Sequence, residues 1–340
     1  MKIISNQSLK LLNTFGIQAT ARYFLSVDNL ETLKSFRENE IWRSETLLIL
    51  GGGSNILFTK DFSGLIIQSK LNGIEFIDQS NSHVYVKAAS GETWHDLVRT
   101  CVDQNLGGLE NLALIPGLCG AAPIQNIGAY GTELSDVIVE VEGIDLRNGK
   151  HTILKAADCQ FGYRESIFKH DFEKKFFISS ITLRLTKENH LINHAYGALD
   201  AYLKKKNINN PSIADVYDSV VAIRSEKLPD PKVFGNAGSF FKNPVVDALT
   251  FKRLQSSFPT IPFYHSDNQQ FKIPAGWLIE QAGWKGKRNG QVGVHHLQAL
   301  VIINFGGASG QEIFDFSEQI IEDVLIKFEI KLQREVNVIG

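Results

Sequence analysis

Ser239 lies in the passage FGNAGSFFKNP, residues 234–244, between a glycine and a phenylalanine. A serine becomes a nucleophile when a neighbouring base removes its proton, and no pattern in this passage supplies such a base. The hydroxyl could instead act as an acid toward a strongly basic carbon. It could also simply tie down a glycine turn. The local sequence leaves both roles open.

Two charged residues are further candidates for chemistry. Arg164 stands in FGYRES, where its planar guanidinium could hold a carboxylate, although most isolated arginines are solvated or paired. Glu335 stands in the alternating tail KLQREVNVIG, on the face opposite Val336 and Val338. Neither local pattern specifies a reaction by itself.

The motif GGGSN follows the apolar run LLIL directly and consists of Gly51, Gly52, Gly53, Ser54 and Asn55. Backbone N–H groups packed this closely can cradle an anion such as a diphosphate. The spacings GxGxxG and GxxxxGK[ST] are absent, and the next residues, NILF, continue as a strand, which argues against a Rossmann or P-loop site. The alternative is a tight turn between two strands.

A second glycine-rich passage, IPGLCGAAPIQNIGAYG, covers residues 115–131. Its small side chains would let a flat ring or a ribityl chain lie close to the backbone, whereas the alternative is a buried loop crossing. Two such passages without a standard nucleotide motif indicate a large cofactor that is held in a non-Rossmann way.

Hydrophobic periodicity predicts the elements that must position these residues. Short strands are expected at 45–50, 64–69, 83–90, 176–185 and 299–305, and a hairpin at Asn148-Gly149. Helices are expected over 92–105, after Ser212, within 274–283 and after Ser309, where Glu312 completes a capping-box spacing. The two prolines and the glycine of EKLPDPKVFG predict a hinge.

Length and composition limit the class of protein. A chain of 340 residues with 43% hydrophobic content exceeds one ordinary domain, so two or three are expected. The 35 basic and 37 acidic residues give a net charge of −2 without a basic stripe, which argues against nucleic-acid binding. The sequence also predicts no membrane span and no signal peptide.

The three cysteines, Cys101, Cys119 and Cys159, are odd in number and lack CxxC spacing. This argues against a disulfide framework and a structural zinc site and favours a reducing cytosol. The adjacent His295 and His296 would point in different directions, so no metal site is expected there. Trp277 and Trp284 are expected in the core.

The motifs NTFGI, GGGSN, IPG, PIQNIGAYG, FGYRESIFK, KLPDPK, GNAGSFFKNP, AGWLIEQ and a terminal EV before IG occur in this order from Asn13 to the end. In these motifs and in their order, the chain resembles the UDP-N-acetylenolpyruvoylglucosamine reductases, flavoenzymes that complete UDP-N-acetylmuramate for bacterial peptidoglycan. FGYRES with GSFFKNP and the C-terminal glutamate is the most specific part of the resemblance. His296 is a mild departure, since a different polar residue is expected there.

The resemblance implies an α+β fold. A two-subdomain FAD-binding region of the vanillyl-alcohol-oxidase (PCMH) type would be followed by a C-terminal α/β substrate-binding domain. The implied boundaries are 1–72 with 331–340 for the first FAD-binding subdomain, 73–228 for the second and 229–330 for the substrate domain. The C-terminal strand is expected to return to the N-terminal subdomain.

The resemblance also assigns residues. Ser239 matches the proton donor, Arg164 the active-site arginine and Glu335 the active-site glutamate, which could orient Arg164 or, if protonated, bind the substrate carboxylate. Flavin contacts are implied for both glycine-rich passages: Gly51, Gly52, Gly53, Ser54, Asn55, Ile115, Pro116, Gly117, Gln125, Asn126, Ile127, Gly128, Ala129, Tyr130 and Gly131. Tyr196 matches the longer, substrate-covering form of the enzyme, and Lys227, Asn243 and Gln298 match substrate contacts.

The implied cofactors are non-covalent FAD and NADPH as electron donor, and the implied substrate is UDP-N-acetylglucosamine enolpyruvate. A cytoplasmic monomer is expected, with no metal, nucleic-acid or membrane partner. Two other classes of protein remain as alternatives. An FAD-dependent sugar or alcohol oxidase would share the flavin-binding passages, and a non-enzymatic nucleotide-sugar binding protein would share only the later polar residues.

Overall fold

The structure is a computed structural model that describes residues 3–78, 80–173, 175–265 and 269–340. In these ranges the helices α1 to α8 span, in chain order, Leu30–Phe36, Glu40–Ser44, Trp94–Asp103, Gly197–Lys205, Ile213–Lys227, Ala248–Ser257, Ala275–Gln281 and Gly310–Phe328. The strands β1 to β20 span Ile3–Ser8, Thr20–Val27, Leu47–Leu50, Ile56–Phe58, Phe62–Ser69, Ile74–Asp78, His83–Ala89, Gly128–Ala129, Thr132–Glu133, Ile138–Asp145, His151–Lys155, Phe176–Thr186, Gly235–Asn236, Val245–Val246, Tyr264–His265, Phe271–Lys272, Arg288–Asn289, Val292–Val294, Ile302–Asn304 and Asn337–Ile339.

The chain forms two compact units. The larger unit comprises Met1–Gln7, Ala21–Gly52 and Ser63–Glu226, and the smaller unit comprises Ser8–Thr20, Gly53–Phe62 and Lys227–Gly340. Both contain helices and sheets, so the α+β class is confirmed. The finer division at residues 72, 228 and 330 stays a prediction.

The larger unit contains two main sheets. One has the order β1-β2-β5-β3, in which β3 and β5 run parallel, and the other is an antiparallel sheet with the order β11-β10-β12-β7-β6. In β12 the six successive residues 176–181 are all buried. Strands that are covered on both faces read as apolar runs, which explains why FFISSITLRL was recognisable in the sequence.

Helices α3 and α5 form because their apolar residues recur at helical spacing. α3 buries Trp94, Leu97, Val98 and Cys101, as predicted. α5 begins where Ser212 accepts a hydrogen bond from the N–H of Asp215 at 3.2 Å, and the Asp215 carboxylate accepts one from the N–H of Ser212 at 2.8 Å. The predicted helix starts are therefore confirmed.

The smaller unit contains an antiparallel sheet with the order β13-β19-β18-β17 and a small sheet with the order β14-β16-β15. The C-terminal strand β20 pairs in parallel with β4, the strand that follows GGGSN. Val336, just before β20, is buried as its predicted face requires, whereas Val338 is 36% exposed. The end of the chain thus returns to an N-terminal segment of the sequence.

The predicted capping box begins α8. Ser309 Oγ accepts a hydrogen bond from the N–H of Glu312 at 3.2 Å, and the Glu312 carboxylate accepts one from the N–H of Ser309 at 2.7 Å. The hydrogen bonds that the Glu312 carboxylate accepts from the N–H and hydroxyl of Ser309 hold the pKa of Glu312 below its ordinary value. The buried face of α8 includes all five predicted apolar positions: Ile313, Phe316, Ile320, Val324 and Phe328.

Most other predicted elements are confirmed with shorter bounds. The hairpin forms between β10 and β11, but its loop covers residues 146–150 and is longer than the two residues expected from Asn148-Gly149. The run ALVIINF contributes only the three residues of β19. Trp284 is 2% exposed and belongs to the core as predicted, whereas Trp277 is only half-buried and packs against Phe258.

The three cysteines are buried free thiols. Burial raises the pKa of Cys101 and of Cys159 to about 12, and it also raises the pKa of Cys119. A thiol that stays protonated is a poor nucleophile and a poor metal ligand. These residues therefore serve packing.

Ser309→Ala should lower the free energy of unfolding by about 1 kcal/mol, because the Glu312 N–H at the first turn of α8 loses its acceptor. Urea denaturation followed by circular dichroism measures the change. Ser256→Ala is the matched control, since the exposed Ser256 hydroxyl only donates to the Lys252 carbonyl within α6. It should change stability by less than about 0.5 kcal/mol. Equal effects of the two substitutions would contradict the capping role.

Candidate active site

The two glycine-rich passages lie against each other in the larger unit. A Cβ added to Gly52 would lie 3.1 Å from Gly117 Cα, and one added to Gly51 would lie 3.1 Å from Ala121 Cβ. Gln68 Nε2 fixes the first passage by donating to the Gly51 carbonyl at 2.9 Å. Small residues are needed here because the two backbones approach so closely.

The end of the GGGSN motif belongs to the smaller unit. Gly53 has φ 67°, and a Cβ there would lie 1.9 Å from the carbonyl oxygen of Leu12, so only glycine fits. Asn55 Nδ2 donates to the Glu335 carbonyl at 3.3 Å, and the Asn55 carbonyl accepts from the N–H of Asn337 at 3.2 Å. The motif therefore bonds directly to the C-terminal segment that carries Glu335.

The passage PIQNIGAYG ends in a small hairpin. Gly128–Ala129 pairs with Thr132–Glu133, and the turn residues Tyr130 and Gly131 have φ of 50° and 81°. Two positive φ values in a two-residue hairpin turn are typical of type I′. A tyrosine is uncommon in this conformation, which points to a role for its side chain.

Asn126 holds this hairpin to the rest of the larger unit. The residue is fully buried, and its Nδ2 lies within hydrogen-bonding distance of Glu133 Oε2 at 2.8 Å, Gly162 O at 3.1 Å and Ser135 Oγ at 3.2 Å. Its Oδ1 accepts from the N–H of Ser135 at 2.9 Å. The Asn126 side chain thus bonds to protein groups and links the hairpin to the FGYRES segment.

Arg164 sits at a tight turn. Gly162 and Glu165 exchange backbone hydrogen bonds at 3.1 Å in both directions, and Arg164 has φ 56°. One terminal nitrogen of its guanidinium donates to the Gly128 carbonyl at 3.0 Å, and Lys169 Nζ donates to the Arg164 carbonyl at 2.9 Å. The turn and these bonds fix the guanidinium beside the Tyr130 hairpin.

Tyr130 contacts two further side chains in the larger unit. Its ring packs edge-to-face on Tyr196, with ring centroids 5.6 Å apart, and its hydroxyl is hydrogen-bonded to Arg224. Burial raises the pKa of Tyr130, so the phenol stays neutral near pH 7. The structure therefore brings together the predicted residues Arg164, Tyr130 and Tyr196.

Arg224 is a candidate that the motif analysis missed. Burial and the nearby Arg164 lower its pKa, Tyr130 raises it, and the guanidinium remains charged at any ordinary pH. Its Nε is buried and has no hydrogen-bond partner in the part of the chain that the structure describes. The sequence feature that could have identified Arg224 is its position, four residues after Val220 and on the buried stripe of α5.

Ser239 and Glu335 are held near each other by backbone pairing in the smaller unit. The N–H of Glu335 donates to the carbonyl of Phe240 at 2.8 Å, and the N–H of Lys242 donates to the carbonyl of Gln333 at 2.9 Å. Phe240 is fully buried and anchors the segment. Two of the three predicted catalytic residues thus lie on neighbouring, hydrogen-bonded segments.

Asn243 and Gln298 both lie at the start of α7. Asn243 Oδ1 accepts from the N–H of Ala275 at 2.9 Å, and a Cβ on Gly276 would lie 3.4 Å from Gln298 Oε1. Gln298 Oε1 also accepts from the N–H of Leu300 at 3.3 Å. The other predicted substrate contact, Lys227, is exposed at the end of α5.

The two adjacent histidines differ in exposure. His295 is 5% exposed, and its Nδ1 has no hydrogen-bond partner in the described ranges. Burial, and secondarily His296, lower the pKa of His295. Residues 3–78, 80–173, 175–265 and 269–340 contain no group of three or more His, Cys, Asp or Glu side chains that could hold a metal ion.

The larger unit has features that fit a flat polar cofactor. Gln68 Oε1 and Arg224 Nε are a buried acceptor and a buried donor without hydrogen-bond partners among the described residues. Such atoms are costly to bury unless a ligand or water pairs with them. Together with the close backbones at Gly52 and Gly117, they suit a ring with both donors and acceptors on its edge. The residues present therefore fit a flavin.

Across the helices that the structure describes, none has both the length and the apolar composition that crossing a membrane would require.

Comparison with known proteins identifies two family domains. Residues 30–155 match the FAD binding domain, and residues 230–339 match the C-terminal domain of UDP-N-acetylenolpyruvoylglucosamine reductase. The crystal structure of UDP-N-acetylenolpyruvylglucosamine reductase from Thermus caldophilus superimposes with a TM-score of 0.68 at 21% identity and covers 100% of this chain and 98% of that one. The expected combination of a PCMH-type FAD-binding region and a C-terminal domain is confirmed.

Curated relatives match from end to end. The UDP-N-acetylenolpyruvoylglucosamine reductase of Flavobacterium johnsoniae is 49% identical over 340 residues, with both chains fully covered. Those of Amoebophilus asiaticus and Pseudomonas fluorescens are 43% and 41% identical, with 100% and 99% of each chain covered. With this identity over the full length of each relative, the chain belongs to the UDP-N-acetylenolpyruvoylglucosamine reductase family.

Proposed function

We propose that this chain reduces the enolpyruvyl double bond of UDP-N-acetylglucosamine enolpyruvate to give UDP-N-acetylmuramate, in the cytoplasmic synthesis of peptidoglycan precursors. Full-length similarity to reductases at 41–49% identity supports the reaction. The pairing of the segment after Ser239 with the segment before Glu335 is the observation that carries the assignment to residues. The chain acts as a monomer in this proposal.

The enzyme depends on FAD, with NADPH as electron donor. Bound FAD would supply the hydride-transfer chemistry of the reaction, with NADPH as the source of the hydride. The residues that would hold it are those of GGGSN, of Ile115–Gly117 and of the PIQNIGAYG hairpin. The close backbones at Gly52 and Gly117 and the unpaired Gln68 Oε1 support this assignment.

Arg164 would hold the substrate carboxylate. When hydride adds to one carbon of the enolpyruvyl group, negative charge spreads toward the carboxylate, and a fixed cation lowers the energy of that state. Arginine suits the role because its planar fork matches a carboxylate and does not lose its proton. The bond to the Gly128 carbonyl fixes the guanidinium before the substrate binds.

Arg224 and Tyr130 would support Arg164. Arg224 places a second positive charge in the same part of the larger unit, where burial strengthens its field. Tyr130 stays neutral and is hydrogen-bonded to Arg224, so its hydroxyl is oriented. We assign these residues to positioning and to charge stabilisation.

Ser239 would deliver the proton. A serine hydroxyl is too weak an acid to protonate most groups, but a carbanion or enol carbon is basic enough to take its proton. A donor of this kind needs no base beside it, which fits the absence of a base in the surrounding sequence. Gly238, with φ 67°, and the buried Phe240 support a fixed position for Ser239.

Glu335 would contact the reacting part of the substrate from the neighbouring segment. Its backbone is fixed by the N–H bond to Phe240 and by the bond from Asn55 to its carbonyl. A fixed backbone at this position limits the region that the Glu335 carboxyl group can reach, which lowers the entropy cost of orienting a hydrogen-bonding partner.

The polar residues of the smaller unit would bind the nucleotide sugar. Asn243 and Gln298 lie together at the start of α7, and the exposed Lys227 offers a cation for phosphate. Tyr196 would cover the substrate as in the longer form of the family, a role that its packing on Tyr130 supports.

A two-step anaerobic titration tests the reaction as a whole. NADPH should bleach the flavin absorbance at about 450 nm, and the enolpyruvyl substrate should then restore it without oxygen. Restoration by oxygen alone would favour a sugar or alcohol oxidase. Purified protein that cannot be loaded with FAD would favour a nucleotide-sugar binding protein.

Ser239→Ala should slow the half-reaction with the enolpyruvyl substrate by roughly 10²–10⁴-fold, because the proton donor is removed. Bleaching by NADPH should keep a near-normal rate and serves as the internal control. Stopped-flow absorbance separates the two half-reactions. Ser239→Cys should recover part of the activity, since a thiol can also deliver a proton. Equal slowing of both half-reactions would contradict the assignment.

Glu335→Gln should leave the protein folded and FAD bound, because the backbone bonds that hold residue 335 do not involve its side chain. The reoxidation of reduced flavin by the enolpyruvyl substrate should slow by at least roughly tenfold. Glu322→Gln, on the exposed face of α8, is the matched control and should change neither property. Loss of FAD from the Glu335 variant would mean that the carboxylate is structural.

A further inference from the structure

Four hydrogen bonds join the start of α3 to the segment 112–119 in the larger unit. Trp94 takes part in two of them: its indole N–H donates to the Leu112 carbonyl at 3.0 Å, and its backbone N–H donates to the Gly117 carbonyl at 3.0 Å. Cys119 N–H donates to the Glu92 carbonyl at 2.8 Å. The fourth bond is unlike the others because its acceptor is a side chain.

In that fourth bond, the N–H of Leu114 donates to His95 Nδ1 at 2.9 Å. Leu114 has φ 57°, a left-handed conformation that is strained for a residue with a large side chain. Such a conformation persists only where the surroundings impose it. The bond to His95 is the contact that pairs the backbone N–H of this strained residue.

Leu114 directly precedes Ile115, Pro116 and Gly117, and the backbone of Gly117 lies against Gly52. A change in φ at Leu114 would swing the following residues away from that position. His95 and this whole segment lie within residues 30–155, the range that matches the FAD binding domain.

We propose that His95 is a positioning residue for FAD binding: its Nδ1 lone pair holds the N–H of Leu114 and thereby keeps the Ile115–Gly117 segment in its binding conformation. This inference rests on the proposed function, because the same segment is proposed there to hold the flavin. His95 contacts the backbone of Leu114 and has no catalytic role in this proposal.

The role requires one form of the imidazole. Nδ1 can accept only when the ring is neutral and its proton is on Nε2. Protonation would place an N–H at Nδ1 opposite the N–H of Leu114, and the bond would be lost. The Tyr217 ring stacks on His95 at 5.8 Å and 3°, which fixes the orientation of the imidazole.

The surroundings favour the neutral ring. Burial is the largest effect and lowers the pKa of His95 below its ordinary value of 6.5. The charged groups that face it are Asp96, which raises the pKa, and Arg99 and Arg224, which lower it. Because the neutral form is the one that the fold uses, the stabilisation is complete above pH 6.5 and is lost as the pH falls through the lowered pKa.

Two substitutions separate the acceptor from the ring. His95→Asn keeps an acceptor, since Asn Oδ1 can occupy the position of Nδ1, but it does not titrate and loses the stacking on Tyr217. His95→Phe keeps the ring and removes the acceptor. His151→Phe is the control for a histidine-to-phenylalanine change, because His151 is 41% exposed on β11 and bonds to Glu142.

FAD is removed and the dissociation constant for its rebinding is measured by flavin fluorescence between pH 5 and pH 8. At pH 7.5 we expect His95→Phe to weaken FAD binding by about tenfold, the worth of one hydrogen bond, and His95→Asn to stay within about threefold of the native chain. Native FAD affinity should fall below pH 6.5, and this fall should be smaller in His95→Asn. His151→Phe should match the native chain at every pH.

Equal weakening by the Asn and Phe substitutions, or an unchanged fall in affinity at low pH in His95→Asn, would overturn the proposal. If His95→Phe does not fold, the fall in FAD affinity at low pH, compared between the native chain and His95→Asn, still tests the proposal. Failure of the proposed function would look different, because the native protein would then not bind FAD, or would bind it and fail to reduce the enolpyruvyl substrate.

Discussion

The backbone pairing of Phe240–Lys242 with Gln333–Glu335 is the interaction on which the candidate site of the smaller unit depends. Peptide groups buried beside Phe240 must find partners, and the C-terminal segment supplies them. The same segment continues into β20 and bonds to Asn55. One set of hydrogen bonds thus orders the residue after Ser239, the backbone of Glu335 and the end of the GGGSN motif.

The larger unit relies on a different constraint, the left-handed backbone of residues that are not glycine. Leu114, Asn126, Tyr130 and Arg164 all have φ between 42° and 57°. Side-chain or backbone bonds hold three of these residues or their turns: His95 holds Leu114, the Asn126 amide bonds to three neighbours, and the Gly162–Glu165 bonds close the Arg164 turn. Strain that is compensated in this way is typical of binding sites, where a side chain or an N–H group must point toward a ligand.

Positive charge in the larger unit is also held at an energetic cost. Burial disfavours the charge of Arg224, and the nearby Arg164 adds to this cost. Two neighbouring cations suit the binding of an anion, and FAD and NADPH are both anionic. The net charge of −2 for the whole chain gives no sign of this local excess, because opposite charges elsewhere cancel it.

The sequence by itself determined the helices and strands with strong patterns, such as α3, α5, α8 and β12, because burial of an apolar face imposes the period of the element. Motif order also identified the family and the candidates Ser239, Arg164 and Glu335. The length of the Asn148-Gly149 loop, the short β19 and the exposure of Val338 were missed because neighbouring strands and loops decide them.

Only the tertiary structure decided which groups meet. That Ser239 and Glu335 lie on paired segments, that Arg224 is bonded to Tyr130, and that His95 accepts from Leu114 are contacts between residues far apart in the chain or on different elements. Local pattern carries no information about such pairs, since the residue types involved are common on protein surfaces. Burial and the need to satisfy every buried donor and acceptor select these partners, and both conditions exist only once the chain has folded.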